Sequence, residues 1–120
     1  MFSTANTESE IILKGFIDVS EGIIYPYPRQ GENYEIFAQK YRERFSKEPL
    51  TPNGATTYDA VNTVIRMLKN NPENTEEMID FMLETEFDGA SNRISFDEFG
   101  IIKSKDFIVK TIRNGEFVPL

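Results

Sequence analysis

The sequence predicts a mixed α/β chain with three main helices, one early strand and a C-terminal β-hairpin region. Three observations carry this. Large apolar residues recur at helical spacing in three stretches of the middle of the chain. A short apolar run interrupted by prolines precedes them. The last third shifts to alternation and contains Asn114-Gly115, a strong two-residue hairpin signal.

Taken in order, Thr7-Glu8-Ser9-Glu10 has the Ser/Thr-x-x-Glu form of a capping box. Ile11, Ile12 and Leu13 give a short apolar face and Gly15 a natural stop, so a two-turn helix is expected there. Residues 21–28 suit a buried strand, which Pro26 and Pro28 should end or turn into an extended crossing segment. Over 33–45, Tyr34, Phe37, Ala38, Tyr41 and Phe45 mark one face of an amphipathic helix. The Pro- and Gly-containing stretch 47–54 reads as an irregular connector. A second helix is expected over 56–69, with Tyr58, Val61, Val64, Ile65 and Leu68 on its buried side. A third opens at Thr75 and runs to Glu84, with Met78, Ile79, Met82 and Leu83 inward. Residues 93–97 alternate like a half-buried strand, and 107–112 and 116–118 flank the Asn-Gly turn. The late strands look like a separate small sheet, and this order leaves helix faces or strand edges uncovered.

Composition narrows the chemistry. The 120 residues suggest one domain, and ten Phe and five Tyr supply buried area without Trp. With no Cys and no His, disulfides, thiolate nucleophiles, the usual general base and the commonest transition-metal ligands are all missing. Twenty acidic residues against 13 basic ones give a net charge of −7, which repels phosphate backbones, so no nucleic-acid partner is expected. The first eight residues lack the basic start and apolar core of a signal peptide, and no apolar run reaches membrane-spanning length.

In sequence order, the chain carries Glu21-Gly22-Ile23-Ile24, Phe37-Ala38-Gln39-Lys40-Tyr41, a Pro-containing link and Thr57-Tyr58-Asp59-Ala60-Val61. These are followed by the run 87–97, Phe-Asp-Gly-Ala-Ser-Asn-Arg-Ile-Ser-Phe-Asp, and by Arg113-Asn114-Gly115-Glu116-Phe117-Val118. Together they resemble the C-terminal part of type I periplasmic solute-binding proteins, the leucine/isoleucine/valine-binding kind attached to ABC importers. Each motif is weak alone, and their order over essentially the whole chain is what is specific.

The resemblance implies a partial type I periplasmic-binding-protein fold, with 1–120 a single segment equivalent to the C-terminal third of a two-lobed receptor. The family is about three times longer, and the segments holding the ligand's carboxylate in the first lobe have no counterpart here. A truncated piece is therefore expected. Its parent would be a non-catalytic component that captures an amino acid or similar small polar solute and delivers it to an ABC permease, in the periplasm or outside the cell. No cofactor is implied. Severed from the rest, the piece should expose apolar faces and form a homo-oligomer. The competing expectation is a stand-alone interaction module that self-associates through exposed helix faces and strand edges.

Carried over, Ser3, Thr4 and Asn6 correspond roughly to one lining of the family's cleft, and Asn53 with Tyr58 to the other. Read from the residues alone, 3–6 is a frayed terminus, Asn53 a turn residue and Tyr58 part of an apolar helix face. Asp59 reads as a first-turn carboxylate complementing the helix dipole. Two decoys fail. An EF-hand register with Glu98 at position twelve puts Phe87 at one and Gly89 at three, so the first ligands are missing and no metal is expected. Glu84, Glu86, Asp88, Asp97 and Glu98 form a solvated acidic rim rather than a catalytic pair, and no catalytic residue is assigned.

Overall fold

A computed structural model describes residues 1–103 and 106–120; the Leu13 side chain, expected on the first apolar face, lies outside that description. The regular elements are β1 (Ile24–Pro28), α1 (Tyr34–Phe45), α2 (Pro52–Lys69), α3 (Thr75–Glu84), β2 (Glu86–Asp88), β3 (Arg93–Ser95), β4 (Phe107–Arg113) and β5 (Glu116–Pro119). The expected mixture of helix and strand is present, in the expected order. Its packing differs in several places.

The N-terminal segment is not the capped two-turn helix. It forms a 3₁₀ turn at Ala5–Thr7, a π-helical turn at Ile12–Phe16 and a second 3₁₀ turn at Ile17–Val19. The Thr7 hydroxyl donates to the Thr4 carbonyl (2.6 Å) and lies 2.9 Å from the Ser3 hydroxyl, instead of capping. Glu10 turns outward to Lys14 and Lys47. Gly15 does not stop the coil, which runs through it.

Antiparallel β1, β4 and β5 make one sheet, in the order β1-β4-β5, while β2 and β3 form a separate two-stranded ribbon. The late strands are thus not a sheet of their own, because the early strand joins them. Both prolines lie within β1. Ile24 bonds on the side away from β4, donating to the Met1 carbonyl (2.9 Å) and accepting from the Ser3 N–H (3.0 Å). Pro26 and Pro28 share that side by the two-residue period, so neither ring removes a bond to β4. Asn114 and Gly115 both have positive φ, 54° and 77°, as the type I′ turn between β4 and β5 requires.

Two small cores result. Tyr25, Tyr27 and Ile112 form one, with Ile12, Ile17 and Phe117 against it. Phe37, Ala55 and Ala90 form the other, flanked by Tyr34, Tyr41 and Tyr58. The connector 46–51 joins them: the Tyr27 hydroxyl donates to the Leu50 carbonyl (3.4 Å) and the Tyr34 hydroxyl to that of Pro49 (3.1 Å).

The α1 stripe behaves as the periodicity predicts over Tyr34 to Tyr41, with Phe37 and Ala38 buried, while Phe45 stacks on Tyr41 but is 56% exposed. Helix α2 does not. It starts four residues early, with Pro52 in its first turn. Its buried residues are Ala55, Asp59 and Thr63, whereas Val61, Val64, Ile65 and Leu68, expected inside, lie 43–54% exposed. The inner face packs on a polar turn, and the apolar face is left part-exposed among the described residues. In α3, Met78, Met82 and Leu83 are half-buried and Ile79 is exposed. Its cap is Asn74, whose side chain accepts from the Glu77 N–H (2.9 Å).

Candidate functional site

Asp59 is the most constrained polar group of the α2 inner face. It lies in the interior of the helix rather than its first turn, and it is 2% exposed. Its Oδ1 accepts from the Ala90 N–H (2.8 Å), while Oδ2 accepts from the Ser91 N–H (2.7 Å) and the Ser91 hydroxyl (2.6 Å). Three donors satisfy a carboxylate that burial would otherwise penalise. The turn it grips is held from the other side as well. The Gly31 N–H donates to the Ala90 carbonyl (3.0 Å), and Asn33 Nδ2 donates to the Asp88 carbonyl (2.6 Å). The approach is so close that a Cβ on Gly89 would sit 2.5 Å from Asp59 Oδ2, and one on Gly31 would sit 2.3 Å from the Gly89 carbonyl oxygen. One carboxylate and two glycines thus lock α1, α2 and the β2–β3 ribbon together.

Beside this clasp lies a cleft of about 270 Å³ between α1, α2 and β2. Asn33, Tyr58, Asn62, Arg66 and Asp88 give it polar groups, and the Arg66 guanidinium lies 4.3 Å from the centre of the Phe87 ring. Among the residues expected to bind a ligand, Tyr58 lines this cleft. Its ring packs 5.3 Å from Phe37 and its hydroxyl accepts from Lys40 Nζ (3.3 Å). Asn53 is exposed in the first turn of α2. Ser3, Thr4 and Asn6 are exposed at the other core, beside β1, with Ser3 tied to Ile24 and Thr7. The five therefore fall into two groups, one at each core.

A second polar cluster went unread in the sequence. Lys110 on β4 pairs with Glu8, both side chains largely buried (14% and 9% exposed), and Tyr25 donates to the same carboxylate oxygen at 3.0 Å. Lys110 Nζ also lies 4.5 Å from the centre of the Tyr27 ring. Burial first, and the Glu8 charge second, hold the Tyr25 phenol well above its ordinary value; Tyr27 is raised for the same reasons. The available signal was positional, since Lys110 falls between Ile108 and Ile112 on the inward beat of β4. Near the EF-hand decoy, Asp97 is a turn residue whose Oδ1 accepts from the Phe99 and Ile101 N–H groups. Among the described residues, no group of three carboxylates could hold a metal.

The element order, the β1-β4-β5 sheet and the clasped helices define part of a type I periplasmic-binding-protein fold. Solved structures give this its particular form. The chain superposes over 99% of its length on an extracellular ligand-binding receptor from Desulfohalobium retbaense (TM-score 0.84, 20% identity), covering 21% of that chain. It matches a leucine-binding protein from Thermotoga maritima over 99% of its length (TM-score 0.81, 20% identity), covering 35% of it. A branched-chain amino acid transporter substrate-binding protein from Streptococcus pneumoniae, in complex with isoleucine, matches over 97% (TM-score 0.80, 20% identity), with 34% of that chain covered. No family model matches the sequence, and no curated protein does. At these identities the likeness is one of fold. The chain spans between about a fifth and a third of the length of these three structures.

Proposed function

We propose that this chain is one portion, equivalent to the C-terminal third, of the solute-binding component of an ABC-type importer for amino acids or related small polar solutes. The observation that supports it is the near-complete superposition on substrate-binding proteins, one of which holds isoleucine. The surface agrees. The chain exposes 8250 Å², against about 6,600 Å² for a monomeric globular protein of this mass. Its radius of gyration is 16.9 Å, against about 13.6 Å for a closed domain of this length. Two small cores on an extended body suit a piece that packs against more protein.

In this reading the parent works without chemistry, closing two lobes around a solute and presenting it to a permease outside the cytoplasm. No helix among the described residues is long and apolar enough to cross a membrane. Ser3, Thr4 and Asn6 offer hydroxyl and amide groups to a solute from one wall, and Asn53 and Tyr58 from the other. Both walls need the remaining protein opposite them, so this chain alone binds solute weakly or not at all.

Two experiments test this. Calorimetric titration of the chain with leucine and isoleucine should give no saturable heat; micromolar affinity would overturn the incomplete-cleft reading. A chimera replacing the matching segment of the Thermotoga maritima leucine-binding protein with this chain should fold and be stabilised by leucine. A folded chimera indifferent to leucine counts against the receptor assignment.

A further inference from the structure

We infer that the cleft between α1, α2 and β2 is a binding site for the carboxylate of a small organic acid, with Arg66 as its anchor. Tyr58, Asn62 and Arg66 succeed one another at intervals of four along α2 and line one side of the cleft. They make a stripe about 12 Å long. Phe87 of β2 meets the end of that stripe, and the Arg66 guanidinium lies 4.3 Å from the centre of its ring. A guanidinium held against a ring face keeps its in-plane N–H groups for a planar carboxylate. Asn62, half-buried one turn before Arg66, has a side-chain amide bonded to no described residue and adds a donor. These walls all belong to this chain, and the Asp59 clasp fixes their spacing. The inference therefore does not rest on the receptor reading.

The charges inside the cleft select an anion. Asp59, Asp88 and Arg66 are the charged residues that line it. Asp59 is satisfied by the Ala90 and Ser91 donors. Asp88 pairs with Arg93 (3.7 Å), which also holds Glu86 (2.9 Å). By the two-residue period, both acids fall on the ribbon face opposite Phe87. Arg66 pairs with no carboxylate among the described residues, and 60–69 contain none. The chain's net charge of −7 opposes an anion at long range, where salt screens it, whereas Arg66 acts at contact. Ile36 and Phe87 add apolar lining, on which the hydrocarbon body of an organic acid can rest. Inorganic phosphate would leave that lining unused. An α-ammonium group would find both carboxylates taken and would face the Arg66 charge. The cleft therefore separates an organic acid from the amino acid of the same skeleton.

Isocaproate, the leucine skeleton without its ammonium, is the probe. Titrated into the isotope-labelled chain at low ionic strength, it should move the Asn62 side-chain and Arg66 Nε–H resonances saturably. The dissociation constant should be on the order of 1 mM. Arg66→Gln should raise that constant at least about tenfold. Asn62→Asp gives Arg66 an internal partner one turn away and should weaken binding as much, with Arg66 still present. It decides the matter should Arg66→Gln fail to fold, as judged by circular dichroism. Lys69→Gln removes an exposed cation outside the cleft and should leave binding unaltered. Leucine and inorganic phosphate should move neither resonance over the same range. The absence of a saturable shift with isocaproate overturns the inference. So does binding indifferent to both cleft variants, or leucine or phosphate bound as tightly. The leucine-stabilised chimera reports on the receptor reading alone, so the two can fail separately.

Discussion

Asp59 Oδ2 receives both the main-chain N–H and the hydroxyl of Ser91, at 2.7 and 2.6 Å, across 32 positions of sequence. With Ala90 on the other oxygen, the carboxylate acts as a main-chain clamp. It stands where the apolar periodicity of α2 leaves a polar face, and it explains why that face points inward. Asp59→Asn leaves one oxygen for three donors and removes the charge, so it should destabilise the chain by about 3 kcal/mol. Ser91→Ala removes the hydroxyl alone and should cost about 1 kcal/mol. Urea midpoints measure both; equal effects would mean that the main-chain bonds contribute nothing.

The glycines separate space from flexibility. Gly31→Ala places a methyl against the Gly89 carbonyl, and Gly89→Ala places one against Asp59 and the Asn92 carbonyl, all within 2.7 Å. Each should cost at least about 2 kcal/mol, the range of overpacked sites. Gly15 has no neighbour within 4 Å and lies in a helical turn. Gly15→Ala should therefore be neutral or stabilise by about 0.5 kcal/mol. Thermal midpoints of the three variants, compared on one scale, check the order.

Glu8 and Lys110 should show strong non-additivity. Removing one partner leaves a largely buried charge unpaired, so Glu8→Gln or Lys110→Met alone should cost about 3 kcal/mol. The double variant should recover most of that loss. A double-mutant cycle in urea measures the coupling, and additive losses would show that the pair does not act as a unit.

Alkaline pH should unfold the chain through its buried phenols. Tyr25 and Tyr27 are raised above the ordinary 10.0 chiefly by burial. The folded state therefore holds their protons more tightly than the unfolded state. The sign follows: this contribution is intact below pH 10 and is lost progressively as pH rises above it. Phenolate absorbance should lag for these two rings and then appear together with loss of structure. Ionisation of all five tyrosines in a still-folded chain would contradict their burial.

What was legible in the sequence was local. Asn114-Gly115 fixed its own turn, because positive φ at both residues is a property of those residues. The α1 stripe read correctly because its apolar face does meet a core. The α2 stripe misled for the same physical reason in reverse. Periodicity identifies the apolar face but not whether this chain covers it, and here Ala55, Asp59 and Thr63 turn inward instead. The pairing of β1 with β4 and the reach of Asp59 to Ser91 depend on distant partners, which no window of sequence contains. Among the expected ligand groups, Tyr58 was placed on an apolar face and does pack on Phe37, yet it also lines the polar cleft, and its hydroxyl accepts from Lys40.

The prolines of β1 have an effect beyond the ladder they spare. A strand that offers N–H groups to solvent is a template on which further chains stack, the first step toward a cross-β fibril. Pro26 and Pro28 remove those donors from the outward side of β1. A further strand therefore finds carbonyl acceptors at the prolines on that side but no N–H donors. Such a chain, kept concentrated in the test tube, should be slow to seed amyloid from this edge.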